Sequence, residues 1–174
     1  MDASANSEAP SLAVRLEALS SILKSQIMTD INSWEERRQE VPGRGGKKFN
    51  PKRQRMAPLP EIPHETLTEV RSLRQVLYTS NDDHTGDVVK WAVAVLSVGV
   101  SITDMKAGSC RLEDMSTMPS VRLVMQVLVL AVESRFAVVG EEAAETALVE
   151  VVLSANKDTR AIGWIMKMYG MLHR

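Results

Sequence analysis

From Leu12 onward the apolar residues Leu12, Leu16, Leu19, Leu23, Ile27, Ile31 and Trp34 recur at spacings of four, three, four, four, four and three. That is the repeat of one face of an α-helix, and Ser11 just before it has the side chain of an N-cap. The pattern predicts an amphipathic helix over residues 11–38, which cannot pass the Pro42-Gly43 pair. Its stripe can pack on the rest of the chain, mediate self-association into a homo-oligomer or dock a partner helix, or serve as an organelle presequence. Glu17, Asp30, Glu35 and Glu36 against only Arg15 and Lys24 disfavour the last. Residues 1–10 are polar and expected to be disordered, with no secretory signal among them.

Further along, Pro63 and Thr66 introduce Leu67, Val70, Leu73 and Leu77, a second helix expected to end near Thr79. Asn81 to Gly86 reads as a loop. Val88 to Ile102 is rich in β-branched residues, yet it runs without a turn signal for longer than an ordinary strand, so length favours a buried helix. Asp104 to Thr117 reads as a connector. Pro119 suits a first helical turn, and from there to Val139 the polar positions Arg122, Gln126 and Glu133 share one narrow face, which marks this as the central helix. Gly140 is expected to stop it, Glu141 and Glu142 to sit at the positive end of the next helix, and Asp158 to cap a last helix carrying Ile162, Ile165, Met166, Tyr169 and Leu172. The expectation is a mainly α protein: the amphipathic helix 11–38, a basic flexible linker over 39–62, and a helical domain over 63–174 of about five helices.

Composition fits one main domain. Hydrophobic residues make up 44% and charged residues 25%, which excludes wholesale disorder, and aromatics at 4% leave an aliphatic core with ten methionines. A single cysteine, Cys110, permits no internal disulfide and agrees with an intracellular location, nucleus or cytoplasm. The apolar runs 88–102 and 121–139 contain Lys90 in one and Arg122, Glu133 and Arg135 in the other, so neither reads as a membrane span.

Charge changes the picture most. Arg37, Arg38, Arg44, Lys47, Lys48, Lys52, Arg53 and Arg55 against Glu40 give residues 37–60 a charge of +7 inside a chain of net charge −1. Pro42, Pro51, Pro58, Pro60 and Pro63, with Gly43, Gly45 and Gly46, block helix and sheet there. A solvated cationic strap of this kind suits an anionic partner. Closely spaced cations neutralise phosphates, Arg44-Gly45-Gly46 is one RGG-like triplet, and Phe49 can stack on a base, which together favour RNA or a ribonucleoprotein. The same stretch contains Pro51-Lys52-Arg53-Gln54-Arg55, whose Lys52, Arg53 and Arg55 fit an import signal read by an import receptor. A charged spacer is the plain alternative.

No catalytic residue, cofactor or metal set emerges. Gly43 to Lys48 lacks the spacing of a phosphate loop, and neither Ser nor Thr follows Lys47. Asp82, Asp83 and His84 are adjacent without spaced partners and read as a solvated turn. Cys110 beside Arg111 has a cation to lower its thiol pKa but no histidine near it in sequence. An enzyme would need a pocket gathering His64, His84 or Cys110 from distant segments, so the reading is non-enzymatic. His64 and His173 read as capping or surface residues. Seven methionines lie after residue 100 (Met105, Met115, Met118, Met125, Met166, Met168 and Met171), either as core filler or as a soft docking surface with Trp164 and Tyr169 as anchors.

With its N-terminal amphipathic helix, the Arg37 to Arg55 basic strap and a Met-rich helical body, the chain resembles small structural or accessory proteins of orthomyxovirus-like segmented negative-strand RNA viruses. The resemblance implies association with viral RNA or nucleoprotein, or matrix-like self-assembly.

Overall fold

The structure, a computed structural model, describes residues 10–39, 61–79, 84–106 and 110–173. Among these there are seven helices and no strand: α1 (Leu12–Gln39), α2 (His64–Thr79), α3 (Thr85–Lys106), α4 (Leu112–Met115), α5 (Pro119–Val139), α6 (Glu141–Ala155) and α7 (Thr159–His173). The mainly α expectation holds, including the helix over the β-branched run 88–102. A one-turn helix, α4, breaks the connector expected over 104–117.

Local signals set the boundaries. The backbone N–H of Val14 donates to Ser11 Oγ at 3.3 Å, capping α1. Pro119 opens α5, where its missing N–H costs nothing. Gly140 ends it at φ 93°, a left-handed conformation that suits glycine, and its N–H donates to Phe136 O at 2.9 Å. Glu141 and Glu142 then occupy the first turn of α6. Asp158 Oδ1 accepts the Arg160 N–H at 2.8 Å at the start of α7.

Helices α3 and α5 form the centre. Val88, Ala92, Val93, Val95 and Leu96 of α3 and Val121, Val124, Met125, Leu128 and Ala131 of α5 are fully buried. Around this pair pack α1, α2, α6 and α7. By length and composition Thr85–Met105 is apolar enough to cross a membrane, but 61% of its most apolar window is buried by the neighbouring helices. Core helices share that composition.

Helix α1 belongs to the same core. Leu16, Leu19, Leu23, Ile27, Ile31 and Trp34 are all buried there, with Leu12 packed at the margin. The stripe considered as a self-association face is therefore consumed within the chain, because α3 and α5 offer it a complementary apolar surface. A boundary between residues 11–38 and 63–174 is not a boundary between separate cores. The outward face of α1 retains Val14, Ile22 and Met28 as exposed apolar residues.

Polar contacts fix how α1 seats. Trp91 of α3 donates its indole N–H to Leu16 O at 2.8 Å. At the start of α1, Arg15 Nε donates to Glu69 Oε1 of α2 at 2.8 Å, and its guanidinium also reaches Ser72 Oγ. Toward its far end, the fully buried Asp30 accepts hydrogen bonds from Ser120 Oγ at 2.6 Å and Gln26 Nε2 at 3.1 Å. Ser120 lies in the first turn of α5, where the helix dipole favours a negative group.

Where α1, α3 and α4 meet, Gly99 permits close approach. A Cβ there would stand 2.8 Å from Met115 Cε and 3.2 Å from Ile27 Cγ2. Met115, Met118 and Met125 are completely buried and Met168 nearly so, whereas Met105 and Met171 are exposed. Core filling thus accounts for most of the later methionines.

The Asp30 contact generates a stability prediction. Ser120→Ala removes a hydroxyl donor from a buried carboxylate and should cost about 1–3 kcal/mol in urea denaturation. Asp30→Ala combined with Ser120→Ala should cost clearly less than the two single changes added together, because no orphaned acceptor remains. Strict additivity would contradict the contact.

Candidate functional site

Of the residues read as a nucleic-acid contact, Arg44, Lys47, Lys48, Phe49, Lys52, Arg53 and Arg55 lie outside the described residues, as do the side chains of Arg37 and Arg38. What the structure supplies is the position of their two anchors. The first turns of α2 lie against the first third of α1: Glu65, Thr66 and Glu69 line one groove with Val14, Arg15 and Ala18. Gln39 ends α1, 24 residues beyond Arg15, a helical rise of about 36 Å. The chain therefore leaves the body at one end of α1 and returns near the other.

The candidate enzymatic residues are not gathered. Cys110 lies beside Glu35 and Asp114, toward the C-terminal end of α1, while His64 starts α2 near the opposite end. His84 precedes the first turn of α3, and Asp82 and Asp83 are outside the described residues. Nor is Cys110 activated by Arg111: burial, followed by the negative charges of Asp114 and Glu35, pushes its thiol up to about 12. The thiol borders a cavity of about 750 Å³ between the end of α3, α4 and α7, whose rim mixes Arg111, Arg160 and Lys167 with Asp104 and Glu113. Trp164 closes one wall, its indole N–H donating to Ser116 Oγ at 2.9 Å. A rim of balanced charge is not by itself a polyanion surface.

Between α2 and α5 runs a second groove of about 670 Å³, apolar along Leu67, Val70 and Val127, with Arg71 and Arg74 at its edge. Glu133 and Leu172 close the groove at the end where α7 finishes.

That end also holds a cluster drawn from three helices. His173, read as an end-of-helix surface residue, is the last residue of α7, partly exposed, and its ring reaches both α5 and α6. Its Nδ1 lies 3.0 Å from Glu133 Oε1 and its Nε2 3.6 Å from Glu141 Oε1. The ring stacks on Tyr169, with centroids 5.3 Å apart and planes 7° from parallel, and meets Phe136 edge-on at 5.2 Å. The hydrogen bond to Glu133 leads in raising the imidazole pKa above its usual value, and Glu141 adds to it. Tyr169 is buried, and its hydroxyl has no hydrogen-bond partner among the described residues. Burial first, then the charges of Glu145, Glu133 and Glu141, raises its pKa as well. Only the pair Glu141 and Glu145, four residues apart on one helix face, hints at this cluster in the sequence.

The state of Cys110 is directly measurable. At pH 8 the native protein should react with a thiol reagent at least about a hundredfold more slowly than the denatured chain, since little thiolate is present and the sulfur is covered. Equal rates would contradict the placement of Cys110.

Comparison of the chain with family models, curated proteins and solved structures finds no match.

Proposed function

We propose that this chain is a non-enzymatic RNA- or ribonucleoprotein-associated protein, in which the basic segment over 39–62 makes the contact and the helical body carries it. The observation behind this reading is the segregation of charge. Residues 37–60 hold eight bases and one acid, whereas residues 1–36 hold six acids and two bases, and residues 61–174 hold fifteen and eleven. A polyanion is repelled by the body and attracted to the segment. Arg44, Lys47, Lys48, Lys52, Arg53 and Arg55 neutralise phosphates, and Phe49 provides a stacking surface. Anchors about 36 Å apart along α1 favour an extended polyanion over a single small anion.

A second reading rests on the same positions. Pro51 to Arg55 has the composition of an import peptide, which makes the chain a protein-binding adaptor carried into the nucleus.

The anchor geometry also decides how the test is built. Deleting residues 42–60 leaves only residues 40, 41 and 61–63 between α1 and α2. Their reach of about 20 Å falls short of the anchor separation and would disturb the bundle. Replacing the six cations from Arg44 to Arg55 by Ala keeps the length. Fluorescence polarisation against a labelled single-stranded RNA should show binding by the intact protein, with log affinity falling against log salt at a slope of about −3.5 if about five phosphates are engaged. The six-Ala variant should keep its helical circular dichroism and lose the binding. Affinity retained in that variant would overturn the RNA assignment, and absence of binding by the intact protein at low salt would favour the import reading.

A further inference from the structure

Glu133 of α5, Glu141 and Glu145 of α6, and Tyr169 and His173 of α7 converge at the end of the bundle where α5 and α7 finish and α6 begins. When the short Nδ1 contact to Glu133 is a donated N–H, the neutral imidazole has its proton fixed on Nδ1. The lone pair on Nε2 then faces the Glu141 carboxylate at 3.6 Å, a contact that is favourable with either a proton on Nε2 or a metal ion between the two groups. Two ligand atoms bonded to one tetrahedral zinc at 2.0–2.2 Å stand about 3.3–3.6 Å apart. The observed separation lies at the upper end of that range.

The other features agree. The candidate ligand atoms of Glu141, Glu145 and His173 all lie within 4.8 Å of one another, and Glu141 and Glu145 are exposed or half-buried side chains able to close the remaining distance. A carboxylate on the second imidazole nitrogen is the usual support of a metal-bound histidine, fixing both ring orientation and tautomer. Independently of the carboxylates, the Tyr169 hydroxyl is a buried polar group without a partner, its ring stacked on His173 and its oxygen among the same negative charges. A hydroxyl left over in this way calls for an acceptor, a place that water bound to the ion would take. The negative dipole ends of α5 and α7 favour a cation here, offset in part by the positive end of α6.

We propose that Glu141, Glu145 and His173 bind a divalent cation of the zinc class, with Glu133 as the residue that orients the imidazole. One nitrogen and two carboxylate oxygens suit zinc and similar first-row ions better than magnesium, which prefers oxygen ligands and retains its waters. The fourth position is left to water. Because its ligands come from α6 and α7 and their support from α5, the ion clasps three helices together, independently of any RNA contact.

The test uses the full chain stripped with a chelator. Calorimetric titration with Zn²⁺ should show one site, and Zn²⁺ should raise the melting temperature. Co²⁺ in its place should give visible d–d absorption without a sulfur charge-transfer band, since Cys110 takes no part. His173→Gln should abolish binding, Glu145→Gln should weaken it about tenfold or more, and Glu133→Gln should weaken it about 10–100-fold while leaving the site's stoichiometry unchanged. Glu145 is only half-buried, so its variant keeps the fold if His173→Gln does not. Absence of Zn²⁺ binding, unchanged affinity in Glu145→Gln, or equal affinity for Mg²⁺ would each overturn the proposal.

Discussion

Burial of the α1 stripe is the constraint on which the rest of this structure depends. Leu16, Leu19, Leu23, Ile27, Ile31 and Trp34 leave water together, and each is covered by helices that follow it in sequence. At about 1.5–3 kcal/mol for each fully buried large apolar side chain, as an upper estimate, that face contributes on the order of 10 kcal/mol. Typical domains have a net stability of only about 5–15 kcal/mol. A bundle lacking α1 would therefore expose the matching surfaces of α3 and α5 and lose a large part of its stability. The polar contacts Trp91 to Leu16 and Ser120 to Asp30 give this apolar seat its register.

The position of the basic segment follows from that burial. Were α1 an independent helix, the segment would be a tether between two bodies with freely varying separation. With α1 in the core, the segment begins and ends on one body, at points separated by most of the length of α1. Its high local charge contrasts with a mildly acidic body, so in the proposed RNA contact the segment would attract the polyanion while the body limits where it can lie. Where α5 and α7 end and α6 begins the charge runs the other way, with Glu133, Glu141 and Glu145 gathered around His173. The proposed cation site and the proposed anion contact thus draw on opposite charges in separate parts of the chain.

Much of the fold could be read along the chain because each helix carries its own period and its own boundary residues. Ser11, Pro119, Gly140 and Asp158 act within one turn of where they stand, so their effects are local and readable. Length sets the run Val88 to Ile102 as a helix, and its β-branched residues lie mostly on the buried faces, away from the exposed line of Lys90, Ala94 and Ser101. Periodicity, however, identifies which face of a helix is buried and not what buries it. The period of the α1 stripe alone is thus as compatible with self-association as with burial against α3 and α5, which the fold shows. Asp30 illustrates the same limit: in sequence it is one more charge on an amphipathic helix, and only a partner 90 residues away shows why it is fully buried. The His173 cluster was invisible for the same reason, since its members come from three helices.

That α1 is a core helix, with both flanks of the basic segment on one body, is tested most directly by native-state hydrogen exchange. If α1 is held by the core, the amides of Leu19 to Ile31 should exchange only through global unfolding, with the same opening free energy as those of Val124 to Val132 in α5. Exchange from α1 that is orders of magnitude faster than from α5 would show that the helix detaches on its own, and would contradict the account.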